Sequence, residues 1–115
     1  MNNLSAIKER YLRDQLPIRL GSLAANLRRI TSFSRSVSNQ AAVAALIDES
    51  QYFIEWTAAE ADIDSASVLV ELQVQLARWQ HNGSAIWTNA DRRRQMGDEA
   101  RAWSDRVLAL SGLMN

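Results

Sequence analysis

The chain has 115 residues with a hydrophobic fraction of 47%, thirteen basic and thirteen acidic side chains, and no cysteine. Its length and hydrophobicity favour one globular domain over residues 1–115 and argue against a disordered chain. The lack of cysteine excludes a disulfide framework and a thiolate metal site, and the zero net charge argues against a nucleic-acid binder. No uncharged stretch is long enough to span a membrane, and the charged N-terminus lacks a signal-peptide pattern. We therefore expect a cytoplasmic protein without membrane insertion.

Apolar residues recur at steps of three and four along the chain, which is the spacing of amphipathic helices. A short amphipathic segment occupies residues 1–14. Asp14 is a plausible N-terminal cap for the next helix. Pro17 would then lie in the first turn of that helix, where proline is tolerated. The later apolar stripes predict helices over residues 15–37, 39–61, 63–81 and 86–111.

Local signals mark the ends of several of these helices. Asp62 is a suitable N-terminal cap for the helix over residues 63–81. The sequence His-Asn-Gly at residues 81–83 should end the same helix, because asparagine and glycine tolerate the backbone conformation that ends helices. Gly112 followed by Leu113 has the pattern of a glycine that ends a helix and is accompanied by a hydrophobic contact.

The predicted elements define a fold class. Four amphipathic helices with short connections and no strand pattern predict an all-α fold, and we expect an antiparallel up-down four-helix bundle with a short extra N-terminal helical segment. Gly97 lies inside the last helix. It predicts a close approach of a neighbouring helix or, alternatively, a break that Asp98 recaps.

Charge is segregated along the chain. Residues 1–35 hold seven basic and two acidic side chains, a net charge of +5, and residues 36–77 hold seven acidic and no basic ones, a net charge of −7. Residues 78–115 hold six basic and four acidic side chains, a net charge of +2. One interpretation is that facing helices pair charges along their flanks, which fixes orientation and register. The other is a dipolar surface that steers a charged partner or favours self-association.

The four tryptophans divide into core and surface candidates. Trp103 lies on the apolar stripe of the last helix, so we expect it in the core. Trp56 and Trp87 lie at the margins of their stripes. Because tryptophan is enriched at the energetic centres of interfaces, these two residues are candidates for binding a partner.

Arginines supply the candidate polar contacts of that interface. Residues 92–94 form the densest basic run, but successive helical residues point about 100° apart and do not make one patch. The run also lacks regularly spaced stacking aromatics, which argues against a phosphate or nucleic-acid site. Arg92 is expected to join Arg28 and Arg35 on one face. The arginines predicted to contact a partner are Arg28, Arg92 and Arg94.

The chain offers little for catalysis. His81 is the only histidine and lies in a predicted turn, and the only lysine is Lys8, so the pattern of a phosphotransfer histidine with a nearby lysine is missing. Three glutamates could supply carboxylates, but their spacing does not place them on one core face. We therefore predict no catalytic residue, no metal site and no cofactor. The three glutamates with unsuitable spacing are Glu55, Glu60 and Glu71.

Several runs of the sequence carry a resemblance to one family. The runs are residues 49–56, 71–73, 76–79, 86–87, 103–108 and 111–113. Together they resemble a small uncharacterised all-helical protein family of cyanobacteria, and the resemblance covers most of the chain. It implies a helical, cytoplasmic protein. No activity is known for that family, so the resemblance implies no site residues.

These observations predict a non-enzymatic protein that associates with itself or with an unidentified protein partner. The second hypothesis is a carrier that holds a small apolar ligand between its helices, in a cavity that Ala90, Gly97 and Ala100 would open. An enzyme that uses glutamate carboxylates is the third.

Overall fold

The structure, a computed structural model, describes residues 3–112. Within that range 89% of the residues are helical and no strand occurs, which confirms the predicted all-α class. Two 3₁₀ turns, Val37–Asn39 and Ala58–Glu60, lie between longer helices. The α-helices are α1 Leu4–Arg13, α2 Leu16–Phe33, α3 Gln40–Thr57, α4 Ile63–His81, α5 Gly83–Trp87 and α6 Ala90–Ser111.

The first long helix is shorter than the predicted span of residues 15–37, because α2 ends at Phe33. Asp14 does not cap it. Asp14 instead ends α1 in an extended conformation, and its carbonyl accepts a hydrogen bond from Arg19 Nε at 3.0 Å. Pro17 does lie in the first turn of α2, where its missing N–H leaves no hydrogen bond unmade.

The predicted helix over residues 86–111 is two helices in the structure. Trp87 ends the short helix α5, and Asn89 starts α6 by accepting a hydrogen bond from the backbone N–H of Arg92 at 3.1 Å. The helix α6 then continues without interruption through Gly97, so the alternative of a break there is wrong. The close approach is confirmed, since a Cβ on Gly97 would lie only 2.6 Å from Ser34 Oγ.

Other helix ends lie where the sequence predicts them. The backbone N–H of Ser65 donates to Asp62 Oδ1 at 2.8 Å, which caps α4 and holds the pKa of Asp62 below its ordinary value. The helix α4 ends at His81 as predicted, but not through a left-handed residue, because neither Asn82 nor Gly83 has a positive φ and Gly83 begins α5. Gly112 follows α6 with a left-handed φ of 73°, and its predicted companion Leu113 lies outside the described residues.

The core forms around α2, whose side chains Leu23, Leu27 and Ile30 are fully buried. This helix packs most extensively on α6 and next on α3, while α3 packs on α4. Ser104 Oγ on α6 donates to Ala24 O at 2.8 Å, and Arg93 Nε near the start of α6 donates to Ser34 O at 3.1 Å. Residue numbers therefore rise along α2 as they fall along α6, and these two helices are antiparallel.

Ion pairs join the basic and acidic parts of the chain. Arg19 is buried and donates through both terminal nitrogens to Glu60, at 2.7 and 3.1 Å. The hydrogen bond from Arg19 is the main reason that the pKa of Glu60 lies below its ordinary value. A second pair links Arg106 of α6 to Glu71 of α4 at 3.3 Å. Both pairs are of the kind that the flank-pairing interpretation predicts. None of the helices within residues 3–112 combines the length and apolarity that crossing a membrane requires.

The helix α1 docks on α3 through Tyr11. The ring of Tyr11 stacks on Phe53 with 4.0 Å between centroids, and only 5% of Tyr11 is exposed. Its hydroxyl donates to Arg19 O at 3.1 Å and lies 2.9 Å from Thr57 Oγ1. Because the phenol has a single hydrogen, Thr57 is the donor in the second contact.

We expect Tyr11 to make the protein less stable at high pH. Burial raises the pKa of Tyr11 from 10.0 to about 12. The folded chain therefore keeps a proton that the unfolded chain loses above pH 10.0. The free energy of unfolding should fall as the pH rises from 10 towards 12, by up to about 3 kcal/mol. Urea unfolding across this range measures the fall. Tyr11→Phe should remove it and Tyr52→Phe should keep it, and an equal fall in both variants would contradict this assignment.

Candidate interaction surface

Trp87 is not at a surface. It is 5% exposed, and its Nε1 donates to Val37 O at 2.7 Å. The interpretation of Trp87 as an interface residue assumed one continuous helix over residues 86–111. Because α5 is separate from α6, the orientation of Trp87 is set by α5 alone, and the side chain points into the core.

Trp56 is half-buried within an aromatic cluster. Its ring lies 5.6 Å from that of Tyr52 and 5.8 Å from that of Tyr11, measured between centroids. The ammonium group of Lys8 lies 5.9 Å from the same ring. Residues of α1 therefore already occupy much of the space around Trp56.

The three predicted arginines do not come together. Arg28 pairs with Asp105 of α6 at 3.0 Å, and Arg94 pairs with Asp91 at 2.7 Å within the first turns of α6. Arg92 is exposed on a different side of α6, where it borders a recess shared with Gln75 of α4. The structure therefore does not unite the sequence-predicted site residues in one surface.

A row of exposed residues on α4 forms a surface that the sequence analysis missed. Three of its members are large and apolar, with exposed fractions of 88% for Ile63, 54% for Val70 and 47% for Val74. Successive members are separated by alternating steps of four and three residues, the spacing of a coiled-coil seam. We call this row the outer seam. It consists of Ile63, Ser67, Val70, Val74, Ala77 and His81.

The outer seam lies on the opposite side of α4 from the core. Leu69, Leu72 and Leu76 are fully buried, and at about 100° per residue they point away from Val70 and Val74. The apolar residues of the seam are therefore not the edge of the buried stripe. They form a second stripe, which remains largely exposed within residues 3–112.

Trp103 borders the outer seam on the side of α6. The sequence predicts Trp103 in the core. The structure shows it partly buried and packed against the core, with the rest of the side chain lining a recess of about 350 Å³ with Val70 and Val74. The guanidinium of Arg106 lies 4.4 Å from the ring of Trp103 and also donates to Glu71. The aromatic ring thus extends the apolar surface of α4 onto α6.

Charged side chains follow one flank of the outer seam at steps of seven residues. They are Asp64, Glu71 and Arg78. Glu71 is paired with Arg106, whereas Asp64 and Arg78 are exposed and make no ion pair within the described part of the chain. The other flank is uncharged. A surface of this kind offers an apolar contact area. The negative charge of Asp64 and the positive charge of Arg78 beside it are available to pair with charges of a partner.

The sequence predicts a cavity at Ala90, Gly97 and Ala100, and Ala90 and Gly97 do line a cleft of about 320 Å³ between α2 and α6. Its other lining residues are mostly charged or polar, so it is not the apolar cavity that a carrier requires. Ala100 is fully buried, and Gly97 lies against Ser34. An apolar recess of about 180 Å³ occurs elsewhere, between α3 and α5, where it is lined by residues that include Val43 and Trp79. It is smaller than the roughly 300 Å³ at which small-molecule sites begin.

No cluster of three histidine, aspartate or glutamate side chains that could hold a metal ion occurs among residues 3–112. Comparison of the chain with protein families, curated proteins and solved structures finds no match. The outer seam is an exposed apolar surface with the charges of Asp64 and Arg78, unpaired within residues 3–112, on one flank.

Proposed function

We propose that the protein is a non-enzymatic self-associating module that forms a twofold dimer through the outer seam of α4. The observation that carries this proposal is the exposed apolar stripe of α4, spaced as a coiled-coil seam and directed away from the core. Exposed apolar rows of this kind mark interaction surfaces in proteins that do not cross a membrane.

The bundle that presents this seam belongs to the same proposal. We infer that α2, α3, α4 and α6 form an antiparallel up-down bundle. The antiparallel pairing of α2 with α6 supports this arrangement. Asn26 Nδ2 of α2 lies 3.4 Å from Ser50 Oγ of α3, so these two helices are neighbours. The Arg106–Glu71 ion pair likewise joins α6 to α4. In such a bundle α4 has one face outside, and the outer seam occupies that face.

A second copy of the chain is the partner that fits the seam, because the seam is symmetric about its own midpoint. That midpoint lies between Val70 and Val74. If two copies of α4 pair antiparallel about it, the seam residues of one copy meet those of the other over about 27 Å of helix. The facing pairs are then Val70 with Val74, Ser67 with Ala77, and Ile63 with His81 of the other copy.

The flanking charges fit the same twofold pairing. Asp64 and Arg78 lie at nearly equal distances on either side of the midpoint, so Asp64 of each copy faces Arg78 of the other. The symmetry produces this pair twice. Glu71 lies close to the twofold axis and would face its own symmetry mate, but Arg106 already neutralises it within each chain. Charges at these flanking positions select partner and orientation in coiled coils.

Charge reversal tests the pairing. Arg78→Asp should weaken the dimer, because two Asp–Asp contacts replace two ion pairs. Adding Asp64→Arg on the same chain should restore it, because both pairs reform with reversed polarity. Light scattering behind size exclusion gives the mass, with twice 12.9 kDa expected for the wild type and the double variant.

The same measurement can reject the proposal. A wild-type chain that stays at 12.9 kDa at high protein concentration would contradict self-association. A double variant that remains as weak as Arg78→Asp would contradict the antiparallel register. Arg10→Asp is the matched control, because Arg10 is exposed on α1 and lies outside the seam. It should not change the mass.

A further inference from the structure

We propose that a cleft between α2 and α6 binds a phosphate-bearing small molecule. The cleft has a volume of about 320 Å³ and lies where the end of α2 meets the first half of α6. Four arginines and one carboxylate supply all of its charged groups. They are Arg35, Arg93, Arg94, Arg101 and Asp98. The site lies on the side of α6 directed away from α4, so it does not depend on the proposed dimer.

The hydroxyl groups at the base of the cleft are hydrogen-bonded within the protein. Thr31 Oγ1 donates to Gly97 O at 2.8 Å, and Ser34 Oγ donates to Thr31 O at 2.9 Å. Both hydroxyl hydrogens are therefore used within the protein. An occupant of the cleft must take its hydrogen bonds from the guanidinium groups, which are donors only.

Arg93 is held in place before any ligand arrives. Its Nε donates to Ser34 O at 3.1 Å, and its Nη1 donates to Trp87 O at 2.8 Å. The guanidinium also lies 5.6 Å from the centroid of the Trp87 ring. Two of its five N–H groups are used in this way, and Nη2 remains available to an anion. A donor fixed in this way loses little freedom on binding, which favours affinity.

Arg35 and Arg101 approach the cleft from its two walls. Neither makes an ion pair or a side-chain hydrogen bond within the part of the chain that the structure describes. Arg94 is paired with Asp91, which lies outside the cleft. Asp98 is the single carboxylate among the lining residues, so positive charge exceeds negative charge at the cleft although the whole chain is neutral.

The chemistry of the lining selects phosphate. Guanidinium forks bind phosphate oxygens through paired, charge-assisted hydrogen bonds, and several converging arginines suit an anion with more than one charge. The volume exceeds the roughly 300 Å³ at which small-molecule sites begin, so a phosphate with a small attached group fits. No aromatic ring lines the cleft, so it lacks the stacking surface that single-stranded nucleic acids require.

Binding of inorganic pyrophosphate to the full chain, measured by calorimetry at about 0.15 M salt, where the Debye length is about 8 Å, tests the site. Arg101→Gln should weaken binding about tenfold, since a charge-assisted hydrogen bond is lost. Arg10→Gln removes the same charge from α1 and should leave binding within about twofold, because a distant exposed charge is screened. Asp98→Asn should strengthen binding, because it removes the only carboxylate facing the anion.

Each outcome decides the proposal. No measurable binding by the wild type, or equal loss in Arg101→Gln and Arg10→Gln, would overturn it, as would weaker binding by Asp98→Asn. Phosphatidylcholine vesicles containing phosphatidic acid distinguish the source of the phosphate. Sedimentation with the vesicles that depends on Arg101 would identify a lipid headgroup. Pyrophosphate binding without sedimentation would identify a free phosphorylated molecule.

Discussion

Replacing Val74 by aspartate is expected to abolish self-association while leaving the monomer folded. Val74 is 47% exposed in the single chain, so a carboxylate there remains hydrated. In the proposed dimer it lies beside the midpoint of the seam, opposite Val70 of the second copy. Two carboxylates would then be buried without a partner, a costly arrangement for any charged group. We expect the dissociation constant to rise by about a hundredfold or more.

Val37→Asp is the matched control for this prediction. Val37 is 64% exposed in the turn before α3 and lies outside the outer seam, and the substitution is chemically the same. Sedimentation equilibrium should give a monomer for Val74→Asp and a dimer for Val37→Asp. Circular dichroism should show equal helix content in both. Two variants that dissociate to the same extent would show that the seam is not the interface.

Some helix ends were predictable because their signals are local. The cap formed by Asp62 and the left-handed Gly112 each depend on a few neighbouring residues, so their roles can be read from the sequence. The close approach at Gly97 was predictable for the same reason, since glycine is disfavoured inside a helix unless a neighbour requires it. The residue it approaches, Ser34, is set by tertiary packing and could not be predicted.

The outer seam escaped prediction because α4 carries two apolar stripes. Leu69, Leu72 and Leu76 have helical spacing, and so do Val70 and Val74. Periodicity identifies both stripes but does not determine which one faces the core. That choice depends on where α3 and α6 lie, which is a property of the whole fold. The larger leucines fill the interior, and the valines are left outside.

The arginine cleft escaped prediction for a related reason. The run at residues 92–94 attracts attention because it is continuous, yet its members point in different directions. Arg93 and Arg94 reach the cleft, whereas Arg92 lies on another side of α6. Arg35 follows the C-terminal end of α2. It reaches the cleft only because α2 and α6, which are distant in sequence, pack antiparallel.

Gly97→Val should cause a large loss of stability, because α6 packs tightly here against the C-terminal end of α2. A Cβ on residue 97 would lie 2.6 Å from Ser34 Oγ and 3.6 Å from Thr31 O, so a branched side chain forces the helices apart. Overpacking of this kind exceeds the gain from removing a helical glycine, and we expect a net loss of about 2 kcal/mol in the free energy of unfolding. Urea denaturation measures it.

Gly83→Val controls for the loss of a glycine, because no atom lies within 4 Å of a Cβ at Gly83. This substitution should change the free energy of unfolding by less than about 1 kcal/mol. Ser34 gives a sharper test. Ser34→Ala removes the Oγ at 2.6 Å and leaves Cβ at 3.8 Å, an ordinary contact. Gly97→Ala should therefore destabilise the wild type but stabilise the Ser34→Ala variant. An unchanged sign would mean that the distance between α2 and α6 is not set at Gly97.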